Sequence, residues 1–260
     1  IDGHEMGSQS TFLFSPHREP INHNVAPSVK KWWNIFAEDH RKLFDALGYS
    51  YYSGEWYEDW YVGYGSSVPN YKGAIGILYE QARTGGKEVK RLDGSKSTFE
   101  NAIAHQFYSS ISNLKTAAAN RESLLNHYYT FRKNSLKNIG AYYIVQNGNN
   151  SRSDKLLNRL QLQGIEVHVA NESFSDDVID FNGQQEKINF NKNTVIIPLN
   201  QPLGTFIQAI FDFDPRLSTE VLQREKKKLE KRGWGTIYDV TAWSMLMAYN
   251  VEAYYSRSSK

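Results

Sequence analysis

Gly73-Ala74-Ile75-Gly76-Ile77-Leu78-Tyr79-Glu80 is an apolar run of strand length that ends in a carboxylate. Such a run reads as a buried strand, and a chain that delivers an acid from one is worth following in both directions. If nothing compensates it, a carboxylate at the end of a buried strand is pushed up in pKa, which suits general-base work. The plainer reading is a strand-end glutamate in solvent or in an ion pair. Just upstream lies the tyrosine-rich stretch Tyr51–Tyr64, closed by the flexible turn Gly63-Tyr64-Gly65-Ser66-Ser67. Tyrosine hydroxyls there could donate to a substrate carboxylate, although aromatic packing is the commoner role.

Further upstream, Trp32, Trp33, Phe36, His40, Leu43, Phe44 and Leu47 recur at helical spacing. Ser28 is the expected N-cap of that helix and Gly48 its stop. Residues 1–27 are rich in Gly, Ser, Pro and Asn and read as a strand end followed by loop. They open on Asp2-Gly3-His4-Glu5, a histidine flanked by carboxylates. Downstream of Glu80, Thr84–Ser97 is a polar loop and Thr98 is a good N-cap with Glu100 close behind. Ala102, Ile103, Phe107, Ile111, Leu114 and Ala118 then keep a helical period, and the pattern runs to about Lys133.

The second half changes character near Asn134–Gly140, which sets expected domains at 1–135 and 136–260. Ala141–Val145, Glu166–Ala170 and Thr194–Leu199 read as strands. Ser153–Gln163 and a segment near Gly204–Phe211 read as helices, and Asp176–Asn193 as hairpin material with Asn-Gly at 182–183. Strand–helix–strand alternation predicts a small parallel α/β unit.

The 260 residues carry 30 basic and 28 acidic side chains, a net charge of +2 that argues against a nucleic-acid binder. The charged run Arg224–Arg232 is read as a solvated helix face. No apolar run approaches the ~20 residues of a membrane span. Zero cysteine removes disulfides, thiolate metal sites and a cysteine nucleophile. Aromatic residues are the outlier: 17 Tyr, 13 Phe and 6 Trp.

Taken together, Asp2-Gly3-His4, Tyr79-Glu80-Gln81-Ala82-Arg83-Thr84-Gly85 and the tyrosine loop between them resemble the latter half of a zinc carboxypeptidase catalytic domain, the carboxypeptidase A-like family. The wording His4-Glu5-Met6-Gly7-Ser8 with Phe12-Leu13-Phe14 is similar to a bacterial branch in which a smaller glutamine-amidotransferase-like α/β domain follows. Tyr142–Val145, Glu166–Ala170, Val195–Gln201-Pro202 and Tyr238–Ser244 look like that appendage. The resemblance implies an α/β chain: a partial mixed-sheet carboxypeptidase-like domain, then a small flavodoxin- or amidotransferase-like parallel domain. It implies His4 as a zinc ligand, Glu80 as the catalytic base, and Tyr64, with Tyr61 as its rival, as the tyrosine that caps a peptide substrate. It also implies a secreted or periplasmic setting.

The family's other zinc ligands form a His-x-x-Glu pair well upstream of the third, and only three residues precede His4 here. None of His17, His23, His40, His105, His127 and His168 has Glu three positions on. The chain is therefore expected to be the C-terminal part of a longer enzyme, inactive and weak in zinc by itself, with the N-terminal part of the catalytic domain as its missing partner. Self-association through an exposed sheet edge is expected. The alternative is a non-catalytic peptide- or glycan-binding module on the same fold. The second domain offers no chemistry: it lacks a cysteine nucleophile and a Gly-x-Ser-x-Gly elbow around Ser153, Ser173 or His168. The turn Gln146–Asn150 is read as an ordinary polar loop, Gln201-Pro202 as a turn, and Tyr238–Trp243 as a docking or core segment.

Overall fold

The computed structural model describes residues 1–146, 151–235 and 244–257, so Asn147–Asn150 and Tyr238–Trp243 lie outside the described residues. In chain order these form β1 (Asp2–Met6), β2 (Phe12–Phe14), β3 (Arg18–Ile21), α1 (Pro27–Leu47), β4 (Tyr52–Ser53), β5 (Glu58–Asp59), α2 (Val68–Tyr71), β6 (Leu78–Ala82), β7 (Val89–Lys90), β8 (Lys96–Ser97), α3 (Phe99–Ala119) and α4 (Arg121–Ser135). There follow β9 (Ala141–Val145), α5 (Ser151–Leu162), β10 (His168–Val169), β11 (Phe174–Ile179), β12 (Gln185–Phe190), β13 (Val195–Pro198), α6 (Gly204–Ile210), α7 (Thr219–Arg232), α8 (Met245–Ala248) and β14 (Ala253–Arg257). The chain is mixed α/β. Its described residues fall into two compact units, 1–128 with 227–235, and 129–226 with 244–257. No helix among them is long and apolar enough to cross a membrane.

The first unit is built on a four-stranded mixed sheet in the order β1-β6-β2-β4. β1 runs parallel to β6, β6 antiparallel to β2, and β2 parallel to β4. All five residues of β6 are buried, as expected of a strand covered on both faces. The strand inside the opening apolar run starts later than its hydrophobicity does, and Glu80 sits in its middle rather than at its end. Alternation divides the side chains cleanly. Phe12, Phe14 and Tyr79 pack with Trp32, Phe36 and Phe44 of α1. Leu13 and Leu78, one residue out of phase, pack with Met6, Tyr57, Tyr52 and Tyr64 on the opposite face.

The two long helices form where apolar spacing placed them. Gly48 ends α1 in the left-handed region, at φ 68°, with its N–H on the last-turn carbonyls. Its start differs from expectation: Ala26 is the N-cap and Ser28 lies inside, because Pro27 presets the first helical φ and needs no N–H partner. Thr98 caps α3 by accepting from the Asn101 amide, an arrangement that contributes ~1 kcal/mol. The helical pattern towards Lys133 breaks once, at Asn120.

The second unit corrects the expected parallel, flavodoxin- or amidotransferase-like sheet. Its six strands run in the order β10-β13-β9-β14-β11-β12, and every neighbouring pair is antiparallel. The crossover from β9 through α5 does return β10 in the direction of β9. The slot between them is filled by β13, which runs the other way. Local alternation cannot report this, since strand neighbours are chosen by later parts of the chain. Gln201 is more than a turn residue: buried, it accepts from the Glu166 amide at 2.8 Å and donates to the Glu166 and Pro198 carbonyls.

Candidate active site

β1 and β6 pair in register, His4 opposite Glu80. On the other side of β6, Glu80 lies opposite Leu13 of β2, and Leu13 lies opposite Tyr52 of β4. Residues directly opposite one another project to the same face of a sheet. One row therefore crosses the whole sheet on that face: His4, Glu80, Leu13, Tyr52. The Tyr52 hydroxyl reaches back over the row to Met6 Sδ at 2.9 Å.

Glu80 is only 6% exposed, and its Oε2 accepts no hydrogen bond from the described residues. Burial pushes its carboxyl above the ordinary glutamate range, His4 draws it back down, and Asp2 pushes it up again. A carboxylate made more basic by burial, with a lone pair to spare, can take up a proton. His4 Nε2 meets Asp2 Oδ1 at 3.0 Å on the exposed side of β1. With Nε2 engaged by a carboxylate, Nδ1 is the nitrogen left with a lone pair, which is how an outer carboxylate orients a ligating imidazole.

Tyr64 and Tyr61 come to the same place. Tyr64 packs on the Met6, Leu13 and Leu78 cluster, its ring 5.6 Å from that of Tyr57. Tyr61 meets Tyr64 edge-on at 5.1 Å. Two glycines shape this loop. A Cβ on Gly63 would collide with the Tyr61 ring, and one on Gly65 would stand 2.5 Å from Asp2 Oδ2. The loop thus reaches the His4–Asp2 pair; His4, Glu80 and Tyr64 share one face of the sheet, and Tyr61 lies against Tyr64.

The residues present fit one ligand and a base of a zinc centre, and not a full set. Among the described residues no three His, Asp or Glu side chains converge to hold a metal ion. His17 is buried against Trp33 and Tyr57, where desolvation drives its pKa down to about 4. His23 lies beside Asn24 and Trp60.

Sequence reading passed over Glu58 and Asp59, consecutive acids that are 1% and 0% exposed at the root of the tyrosine loop. Glu58 Oε1 accepts from the Tyr64 hydroxyl at 3.1 Å, and its Oε2 accepts from the Trp60 amide. Asp59 accepts from the Ser67 hydroxyl and from Asn70 Nδ2. Burial raises both carboxyls, that of Asp59 to about 6. The signal that could have found them is their setting, Tyr57-Glu58-Asp59-Trp60, acids inside an aromatic run. Comparison of the chain with protein-family models, with curated proteins and with solved structures finds no match.

Proposed function

We propose that this chain is part of a zinc-dependent metallocarboxypeptidase, an enzyme that hydrolyses C-terminal peptide bonds and acts outside the cytoplasm. The observation that carries the reading is the in-register pairing of His4 with Glu80, a histidine already oriented by a carboxylate beside a buried acid with an open lone pair. Zinc, when bound, acidifies a water and polarises the scissile carbonyl. His4 would hold the metal through Nδ1. Glu80 would take the water's proton on Oε2 and pass it to the leaving amine. Tyr64, backed by Tyr61, would close over the peptide and exclude solvent.

The second reading, a non-catalytic peptide- or glycan-binding module, draws on the incomplete ligand set and on the aromatic residues of the same face. Full-length protein separates the two. Glu80→Gln should leave zinc content unchanged and lower kcat/KM for peptide hydrolysis by about 10³-fold, within the range that proton transfer contributes. Retained turnover would remove Glu80 from the mechanism. A folded full-length protein without zinc would favour the binding module.

A further inference from the structure

We propose that Glu58 is a positioning residue that holds Tyr64, and with it the loop from Trp60 to Ser67, on the face of the sheet occupied by Glu80 and His4. This rests on the functional reading above, because it deepens the role given there to Tyr64.

Glu58 and Asp59 follow one another in β5, so their side chains leave on opposite sides of the strand. Each grips a different end of the same loop. Glu58 holds the Trp60 amide and the Tyr64 hydroxyl; Asp59 holds Ser67 and, through Asn70, the start of the run that leads into β6. Asn70 in turn donates to the Ser66 carbonyl and accepts from the Gly76 amide at 2.8 Å. β5 is itself fixed, since it pairs with β3 and the Asn22 side chain donates to the Trp60 carbonyl at 2.9 Å.

Two adjacent buried acids are an expensive way to build a loop root. An apolar pair would avoid the desolvation cost, whereas removing one partner of a buried charged group leaves the other exposed to it. What the acids add is direction. Gly63 and Gly65 let the loop backbone fold back on Tyr61 and approach Asp2, and the same glycines leave that backbone free to go elsewhere. A carboxylate accepting from a phenol makes one short-range, directional contact, roughly twice as strong as a neutral one. The Tyr64 ring is thereby set on the Met6, Leu13 and Leu78 cluster beside the acid and the histidine.

The test uses this chain, without metal or peptide. Tyrosine nitration by tetranitromethane, read by peptide mass spectrometry, reports how often each ring leaves its packing. In Glu58→Ala, Tyr64 should nitrate about tenfold faster, the effect of losing one charge-assisted hydrogen bond. Amide exchange over 61–67 should rise with it, while exchange in α3 stays as it was. Glu58→Gln, which keeps an acceptor oxygen, should retain most of the protection. Tyr64→Phe, which leaves the carboxylate in place, should loosen the same segment. An unchanged Tyr64 rate in Glu58→Ala overturns the proposal, and so does a rise shared by all tyrosines, or a Tyr64→Phe variant whose loop exchanges as slowly as the wild type. Because neither readout involves turnover, failure here leaves the roles of Glu80 and His4 untouched, and loss of those roles leaves this result standing.

Discussion

The first unit buries His17, His40, His105, Glu58, Asp59 and Glu80; among the described residues the second buries only Asp176 and Glu225 of the acids and histidines. Both units lay helices on a sheet, so the difference is not one of architecture. In the second unit Asp176 is saturated: it accepts from Tyr142, from Ser256 at 2.7 Å and from the Asp177 amide. In the first, desolvation raises Glu58, Asp59 and Glu80 and lowers His17, His40 and His105, and both Glu80 Oε2 and His17 Nε2 are left without a partner. Titratable groups with perturbed pKa values are concentrated at functional sites. The contrast supports the proposed placing of the site on the first sheet.

If buried charge, and not tightness of packing, separates the units, then each should be equally intolerant of added backbone bulk. Gly76 and Gly204 provide the pair. A Cβ on Gly76 would overlap the Ser66 carbonyl, and one on Gly204 would overlap the Leu199 carbonyl, in both cases backbone that cannot step aside. Gly76 is pinned further, since its carbonyl accepts from Trp33 Nε1 at 2.9 Å. Gly76→Ala and Gly204→Ala should each cost about 4 kcal/mol, at the severe end for single substitutions, measured by urea unfolding. A large loss for one and none for the other would mean that packing also distinguishes the units.

The row His4–Glu80 shows how far the sequence could be read. Each residue has a plainer reading by itself and stood out only through the family resemblance, while the register that joins them is set by a pairing of distant strands that no local pattern reports. The second sheet was misread because β9, α5 and β10 repeat a local pattern shared by parallel and antiparallel sheets, and only β13 decides between them. Glu58 and Asp59 were missed for a different reason. Adjacent acids look like surface, and their burial depends on β3, Ser67 and Asn70, which no spacing rule connects. Tyr79 is similar. Its apolar run marks it as core, yet its hydroxyl meets His40 Nε2 at 2.5 Å and accepts from Asn113, partners contributed by two separate helices.

The pH dependence of stability sharpens the contrast next. Asp59 titrates near 6 when folded and near 3.8 when not. Between those values the folded protein binds more protons, so stability falls as pH rises, by about 3 kcal/mol across the window. His17 has the opposite sign. Its folded pKa lies near 4, below the ordinary 6.5, so its contribution is complete above 6.5 and is lost as pH falls towards 4. The two partly cancel in the wild type, which makes the difference between proteins the useful quantity. Relative to wild type, Asp59→Asn should become more favourable as pH rises from 4 to 6, by about 1.4 kcal/mol per pH unit at the steepest point. Parallel stability curves would show that Asp59 is ionised throughout and that the first unit is less charged with strain than its burial implies.

The smallest effect is expected where the second unit is most ordinary. β11 and β12 form a hairpin closed by Asp180–Gln184, with Gly183 at φ 77°. Asp180 accepts from the Asn182 and Gln184 amides at 2.9 and 2.8 Å, and the Gly183 amide donates to the Asp180 carbonyl. These contacts hold its carboxyl below the ordinary aspartate range. Nothing crowds a Cβ at Gly183, so substitution there meets only the backbone preference of an L-residue at positive φ. Gly183→Ala should therefore cost about 1 kcal/mol, seen as faster amide exchange confined to β11 and β12. Because that turn buries no charge, the cost should be the same at pH 4 and pH 6. A cost that changes with pH would trace to the Asp180 carboxylate, whose contacts with the Asn182 and Gln184 amides the substitution would then have disturbed.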